Sequence, residues 1–519
     1  MHSTSNILIL DFGSQYTQII ARRIRECHVY SEIVPYHASL ARVQAAAPSG
    51  IILSGGPSSA CSPEAPTFDK KIYELGVPIL GICYGIQIIA RDFGGIVERS
   101  SRREYGPGVL HVDRHCPLFR GLPDKVNVWS SHRDRIVSLP EGFSAVGRTE
   151  HSPYAAIAFQ GKHIYGLQFH PEVTHTPCGK DILQNFLTMV CKCTPSWTSE
   201  AFIVRICKEL REKIGEGQVM LGLSGGVDSY VAAALLQLAV GKQLTCVFVD
   251  NGLLRAGESQ TVNKLFTCNF PGIRLKMVDA SGSFFSRLRG IIDPERKRKV
   301  IGNEFVRIFQ LTAQQLQASL RCPFHYLAQG TLYPDVIEST SLANNSLPIK
   351  SHHNVAGLPS QMEFELIEPL RHLFKDEVRE VGLKLGLPQE LIYRQPFPGP
   401  GLAVRILGKI TRRRLHILRG ADAIVTEEMQ ASGWYCKVWQ SFAILLPVRS
   451  VGVMGDERTY ENTVAIRIVE SRDGMTANWV PVPHSLLAKI SSRITNEISG
   501  VNRVCYDISS KPPATIEWE

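Results

Sequence analysis

A chain of 519 residues has room for three to four domains of about 150 residues each. Its 44% hydrophobic and 20% charged composition lies near the globular average, which excludes a disordered, collagenous or coiled-coil chain. The net charge of +9 is spread as +2 over residues 1–200, +4 over 201–400 and +3 over 401–519. A duplex-binding surface gathers its Lys and Arg on one face or tail, so small anionic ligands are expected and nucleic acid is not. No run reaches the ~18 uncharged apolar residues of a membrane span. Met1–Asn6 lacks the basic stretch of a signal peptide, so a cytoplasmic location away from membranes is expected. Thirteen cysteines are scattered with no CxxC pair, which predicts neither a disulfide framework nor a zinc finger; Cys191 and Cys193 form a lone CxC without a second ligand pair.

Along the chain, Ile7–Asp11, Gly50–Leu53, Pro78–Ile82 and His163–Phe169 read as buried strands, with helices at Gln18–Arg25 and Ile86–Phe93. That alternation predicts an open, mostly parallel α/β sheet. Cys193–Thr198 reads as a linker and Ala201–Ile214 as an amphipathic helix. A second α/β pattern begins with the strand Val219–Leu223, a Gly-rich turn and the helix Ser229–Val240, then the strand Leu244–Asp250 and a charged helix over Glu368–Glu380. The Pro/Gly-dense Gln395–Gly401 reads as a rigid connector or binding loop. Beyond it, the helix Arg412–Ser432 and strands Phe442–Leu446 and Thr463–Ile468 predict one small α+β unit.

In Leu80-Gly81-Ile82-Cys83-Tyr84-Gly85-Ile86 a cysteine sits between two glycines where a strand turns into a helix, the geometry of a nucleophile elbow. A thiol at a helix N-terminus faces exposed N–H groups and the positive end of the dipole, which favour its thiolate form. Gln168-Phe169-His170-Pro171-Glu172 lies near the end of a later strand. Residues two apart on a strand share a face, so Glu172 can orient His170. Cys83, His170 and Glu172 are then candidates for nucleophile, general acid/base and orienter.

These segments, with Ser54-Gly55-Gly56-Pro57, resemble the class I glutamine amidotransferases, which release ammonia from glutamine through a glutamyl thioester. The resemblance implies an oxyanion hole from backbone N–H groups near Gly56 and Tyr84. It also implies glutamine contacts from Ser131-His132-Arg133-Asp134, where Arg133 departs from the family's usual Gly.

Gly222-Leu223-Ser224-Gly225-Gly226-Val227-Asp228-Ser229 joins a strand to a helix. Its amides and the Ser224 and Ser229 hydroxyls suit phosphate oxygens. A carboxylate beside phosphates repels them unless a cation intervenes, so Asp228 implies Mg²⁺. The absence of GK[ST] argues against γ-phosphoryl transfer. The loop resembles that of the ATP pyrophosphatases, which cleave ATP between its α- and β-phosphates and adenylate an oxygen for displacement by a nucleophile. ATP binding is thereby implied for Ser224, Gly225, Gly226, Val227, Asp228, Ser229 and Tyr230, the last standing where the family often has Ser. The acidic end of the strand Val247–Asp250 suits adenosine recognition.

An ammonia-producing module joined to an oxygen-activating one predicts amidation. The acceptor is suggested by Ala328–Ser339, Ile349–Asn354 and Lys511–Glu519, through which the chain resembles glutamine-hydrolysing GMP synthases of the short form. That resemblance implies a ligase of purine biosynthesis with ATP, XMP and L-glutamine as substrates, Mg²⁺ accompanying ATP, and a homodimer. XMP contacts fall on Arg298, Gln440, Lys511 and Glu517, and Lys350 belongs to a lid, with Ala356 in place of the usual Gly. The implied α/β architecture is a class I amidotransferase domain over residues 1–196, a doubly wound ATP-pyrophosphatase domain over 197–394, and an α+β dimerisation and XMP-binding domain over 395–519. A related synthetase with another acceptor, or a regulatory nucleotide binder with decayed catalysis, remain the alternatives.

Overall fold

The computed structural model describes residues 5–320, 323–342, 364–471, 474 and 476–519. The chain divides into two compact units, Met1–Phe202 and Ile203–Glu519.

The first unit is built on nine strands: β1 (Asn6–Asp11), β2 (Tyr30–Pro35), β3 (Gly50–Leu53), β4 (Ile79–Ile82), β5 (Ile96–Val112), β6 (Lys125–Ser138), β7 (Ser144–Arg148), β8 (Ala156–Phe159) and β9 (Ile164–Leu167). They form one sheet in the order β2-β1-β3-β4-β9-β8-β7-β5-β6. The run from β2 to β9 is parallel, and from β9 to β6 every pairing is antiparallel. The expectation of a mostly parallel sheet holds for one half only. The apolar runs of β1, β3 and β4 are buried throughout, as parallel strands covered on both faces require. The antiparallel half is built from polar, glycine-bearing segments such as Ile96–Val112, and half-solvated strands of that kind leave a weak periodic signal.

The second unit carries a fully parallel sheet of β10 (Gln218–Leu223), β11 (Leu244–Asp250), β12 (Arg274–Asp279), β13 (Phe324–Ala328) and β14 (Glu365–Ile367), ordered β12-β11-β10-β13-β14. A second sheet pairs β15 (Gln440–Met454) with β16 (Glu457–Glu470), and β16 with β17 (Asn478–Trp479) and, in parallel, β18 (Val501–Asp507). The helices Arg412–Ala431 and His484–Glu497 pack against it. One continuous apolar core holds Met220 and Val247 of the first sheet together with Leu402, Leu418, Leu445 and Ile466. The apolar core of this unit thus includes residues on both sides of position 394/395.

The charged helix expected from Glu368 begins later, at Lys375, and runs to Lys384. Pro369 biases Glu368 away from helical geometry, and Phe374 N–H donates to Glu377 Oε2 at 2.7 Å, which caps the true start. Among the described residues no helix is long and apolar enough to cross a membrane.

Candidate active sites

In the first unit the chemistry-bearing side chains gather at the carboxyl ends of the parallel strands, where open α/β sheets place their ligand crevices. Cys83 directly follows β4 and caps the helix Tyr84–Asp92. Its φ is +53°, a strained value for a residue with a side chain. The flanking glycines make the turn possible. A Cβ on Gly81 would stand 2.5 Å from the Gly85 carbonyl carbon, and one on Gly85 would stand 2.4 Å from the Leu53 oxygen. Tyr84 is the first helical residue, so its N–H has no acceptor within the helix.

β9 stops at Leu167, short of the expected Phe169, and Gln168–Glu172 leaves the sheet. Glu172 therefore reaches His170 across a turn instead of along a strand face. His170 N–H donates to the Trp129 carbonyl at 2.9 Å, Thr176 Oγ1 to the His170 carbonyl at 2.7 Å, and Arg23 Nε to the Glu172 carbonyl at 2.9 Å. Held so, His170 Nδ1 lies 2.7 Å from Glu172 Oε1. All three side chains are buried, with Cys83 7%, His170 3% and Glu172 0% exposed. Burial opposes charge on His170, but the Glu172 carboxylate and the neighbouring Cys83 outweigh it and push its pKa up to about 11. Tyr16 packs edge-on against the imidazole at 4.9 Å.

A Cβ on Gly55 would lie 3.5 Å from His170 Cε1 and 3.6 Å from Cys83 Cβ, so the Ser54–Pro57 loop passes where imidazole and thiol converge. Gly56 fits against the Phe12 carbonyl, which a Cβ would approach to 2.9 Å. Cys83 Sγ donates to the Ser131 carbonyl at 3.7 Å. The departure at Arg133 falls on the outer face of β6: Arg133 is exposed and donates to Tyr105 Oη at 3.1 Å. Its neighbours His132 and Asp134 are buried, His132 Nε2 lying 2.9 Å from Glu104 Oε2.

In the second unit the loop Ser224–Gly226 joins β10 to the helix Val227–Val240. Gly225 has φ +80°, and its carbonyl is turned inward by Arg394 Nη1, which donates to it at 2.9 Å. Arg394 is in turn held by Glu258 at 2.5 Å. Ser229 Oγ is committed to the loop itself, donating to the Gly226 carbonyl at 2.9 Å and accepting from Ser224 N–H at 3.2 Å. Ser224 and Gly226 are exposed. Tyr230 does not line the loop: its ring is fully buried, stacked on Phe270 at 6.0 Å, and its hydroxyl donates to the Val262 carbonyl at 3.3 Å. Asp250 likewise accepts from Gly252 N–H at 2.8 Å and Ser259 Oγ at 2.5 Å, and so shapes the turn after β11.

Asp228 stands at the mouth of the loop, with both carboxylate oxygens 2.7 Å from Lys375 Nζ. Nearby, Gly330 packs on the Asp228 backbone, and the flanking Gln329 Oε1 and Thr331 Oγ1 are buried without a hydrogen-bond partner among the described residues. No cluster of three or more His, Cys, Asp or Glu side chains suited to a metal occurs among the described residues. Asp228 is the carboxylate at this loop, and a phosphate-borne Mg²⁺, which takes one or two carboxylates and completes its shell with phosphate and water, would share it with Lys375.

A third cluster surrounds the tail. Glu517 is gripped by Arg405, Nε to Oε2 at 3.0 Å and Nη2 to Oε1 at 2.8 Å, and Gln440 Nε2 reaches Oε1 at 3.1 Å. Arg298 Nη2 donates to the backbone oxygen of Glu519 at 2.5 Å, and buried Lys297 pairs with its carboxylate. Lys511 donates to the Gly474 carbonyl at 2.7 Å. Lys350 and Ala356 lie outside the described residues. Sequence reasoning missed Lys375, Arg394 and Arg405. Each is a lone cation far from its partner in the chain, 147 residues in the case of Lys375, and no local spacing signals such a pair.

Comparison with known proteins matches three stretches of the chain to families. Residues 8–190 match the class I glutamine amidotransferase family, 201–277 the NAD synthase family, and 427–518 the GMP synthase C-terminal domain. A glutamine-hydrolysing GMP synthase of Thermomicrobium roseum is 55% identical over 519 residues, covering 100% of this chain and 97% of the relative. Its counterpart in Brachyspira hyodysenteriae is 56% identical over 518 residues, with 100% of both chains covered. Among solved structures, a glutamine amidotransferase from Thermotoga maritima is 22% identical, covering 41% of this chain and 86% of that one at a TM-score of 0.28.

Proposed function

The chain belongs to the family of glutamine-hydrolysing GMP synthases, and from that premise we propose how its residues divide the work. The reaction makes GMP from XMP with glutamine as the nitrogen donor, so the enzyme is a carbon–nitrogen ligase.

The observation that carries the residue assignment is Cys83 at a strained strand–helix turn beside a His170 held 2.7 Å from Glu172. Cys83 Sγ attacks the side-chain amide carbon of glutamine. His170, kept as imidazolium by Glu172, donates the proton with which ammonia leaves, and then serves as base when water cleaves the thioester to glutamate. The N–H groups of Gly56 and Tyr84 are proposed to meet the oxyanion. Ser131, whose carbonyl lies against the thiol, is proposed to border the glutamine.

In the second unit, Ser224, Gly225, Gly226 and Val227 offer their backbone, and Ser224 its hydroxyl, to the phosphates of ATP. Ser229 fixes the loop and Tyr230 supports it from the core. Asp228 is the carboxylate for the Mg²⁺ that accompanies ATP; such an ion neutralises phosphate charge and orients the α-phosphate. The XMP C2 oxygen attacks the α-phosphorus and pyrophosphate leaves. Ammonia then adds at C2 and AMP departs. Arg298 and Lys511 are assigned to the XMP phosphate by charge, and Gln440 and Glu517 to the purine edge. Lys350 completes the proposal as a lid residue.

A homodimer is proposed through the β15–β16 hairpin, whose Val448, Val451, Val453 and Tyr460 are 56%, 48%, 74% and 62% exposed, an apolar surface of the kind that marks interaction sites. The cytoplasmic location belongs to the same proposal.

The test is turnover with ATP, Mg²⁺ and XMP, supplied with either glutamine or ammonia. GMP is expected from both sources, and C83A is expected to lose only the glutamine-dependent reaction. Loss of both reactions in folded C83A would overturn the division of labour.

A further inference from the structure

Three buried cations hold the last residues of the chain. Arg467, 0% exposed, donates to the carbonyls of Ser509 at 3.0 Å, Thr515 at 2.8 Å and Ile516 at 2.9 Å. Lys297, also 0% exposed, pairs with Glu519 and donates to the Ile406 carbonyl at 2.8 Å. The third, Arg405, differs from both. It makes a two-pronged contact with a side-chain carboxylate, that of Glu517, and its guanidinium plane is fixed from below. Its Cζ lies 3.9 Å from the centre of the Phe442 ring, and Asp422 Oδ1 is 3.6 Å from its Nη1.

We propose that Arg405 is a positioning residue for substrate recognition, orienting the Glu517 carboxylate as an acceptor-only edge for the N–H groups of the XMP base; this rests on the reading that Glu517 contacts XMP. A glutamate side chain near a chain end loses rotamer freedom when it is ordered. Arg405 removes that freedom before ligand arrives, and its fork fixes the carboxylate's plane as a point charge cannot. The Arg405 side chain is 0% exposed whereas that of Glu517 is 17% exposed, so part of the Glu517 side chain remains accessible. Oε1 accepts from both Arg405 and Gln440, whereas Oε2 accepts from Arg405 Nε and keeps a lone pair for a ligand donor. A xanthine ring presents an N–H donor, at N1 or at N3, to such an acceptor. An adenine ring presents unprotonated N1 and N3, which a carboxylate repels. Preorganising the acceptor thus serves selection as well as affinity.

A bare structural role is the competing account, and a buried ion pair is weak grounds for stability in itself. The two separate in steady-state kinetics of the full chain with ammonia as nitrogen donor, XMP and ATP being titrated in turn. Arg405→Lys keeps the charge but not the fork. It is expected to raise the KM for XMP about tenfold while the KM for ATP stays within twofold. Glu517→Gln is expected to raise the KM for XMP at least as much, and the double variant to be no worse than Glu517→Gln alone, because Arg405 acts through that carboxylate. If Arg405→Lys leaves the KM for XMP unchanged, or the two effects multiply, the positioning role is overturned while the Glu517 contact stands. If Glu517→Gln itself leaves the KM for XMP unchanged, the underlying reading fails and the proposal falls with it. Should Arg405→Lys not fold, Arg405→Gln, neutral and of similar reach, makes the same comparison.

Discussion

Lys375 Nζ stands 2.7 Å from both carboxylate oxygens of Asp228, so the negative charge that flanks the phosphate loop is neutralised from within the chain. The loop's partial positive charge is thereby left for an anion. Asp228→Asn is expected to reduce glutamine- and ammonia-dependent GMP formation alike, by about a hundredfold or more, the scale on which loss of one charge-stabilising group acts. Initial rates with each nitrogen source measure it. Near-normal turnover in either would remove Asp228 from the reaction.

Cys83→Ala separates the units. Glutamine-dependent turnover should vanish while the ammonia-dependent rate stays within about twofold, because removing a nucleophile abolishes only the step that forms its covalent intermediate. Paired assays on one preparation check both outcomes.

Glu172 sets a pH dependence. The folded-state pKa of His170 is raised from 6.5 to about 11. Its stabilising contribution is therefore complete below pH 6.5 and is lost as pH climbs through about 11. Glu172→Gln removes the charge that sustains this shift, so stability between those limits should become flatter with pH, and glutaminase activity should fall. Denaturant midpoints at intervals across that range test the first effect; identical slopes in wild type and variant would mean that another group is responsible.

Gly85→Ala should distort the elbow. Its Cβ would meet the Leu53 oxygen at 2.4 Å, and a backbone atom cannot swing aside, so a cost at or above the ~1–3 kcal/mol of ordinary overpacking is expected. A lower thermal midpoint together with weaker glutaminase activity is the predicted result. An unchanged midpoint would show that the helix can shift freely.

Val453→Asp combined with Tyr460→Asp places charge on two side chains that are 74% and 62% exposed. Light scattering is expected to give the mass of a dimer for the parent chain, as proposed, and of a monomer for the variant. An unchanged mass would move the interface elsewhere.

The two candidate loops were legible because their chemistry is local. Cys83 between Gly81 and Gly85, and Ser224 to Ser229 between strand and helix, present their reactive groups within a few residues. The parallel strands β1, β3 and β4 were legible for a related reason, since burial on both faces writes a continuous apolar run. The antiparallel strands β5 to β7 were not, because their mixed polar and partly exposed residues write no continuous apolar run, and β8 is only four residues long. The turn that brings Glu172 to His170 was misread as strand because it is shaped by hydrogen bonds to the Trp129 carbonyl and from Thr176 and Arg23, none of them implied by the local sequence.

The sequence by itself determined which residues could react, because thiol, imidazole, carboxylate and phosphate-binding amides are properties of residue type and short spacing. Only the tertiary structure decided what tunes them. Lys375 at Asp228, Arg394 at Gly225 and Arg405 at Glu517 are each a long flexible cation brought to its partner by folding, and a single charge 100 or more residues away from that partner leaves no pattern in the chain.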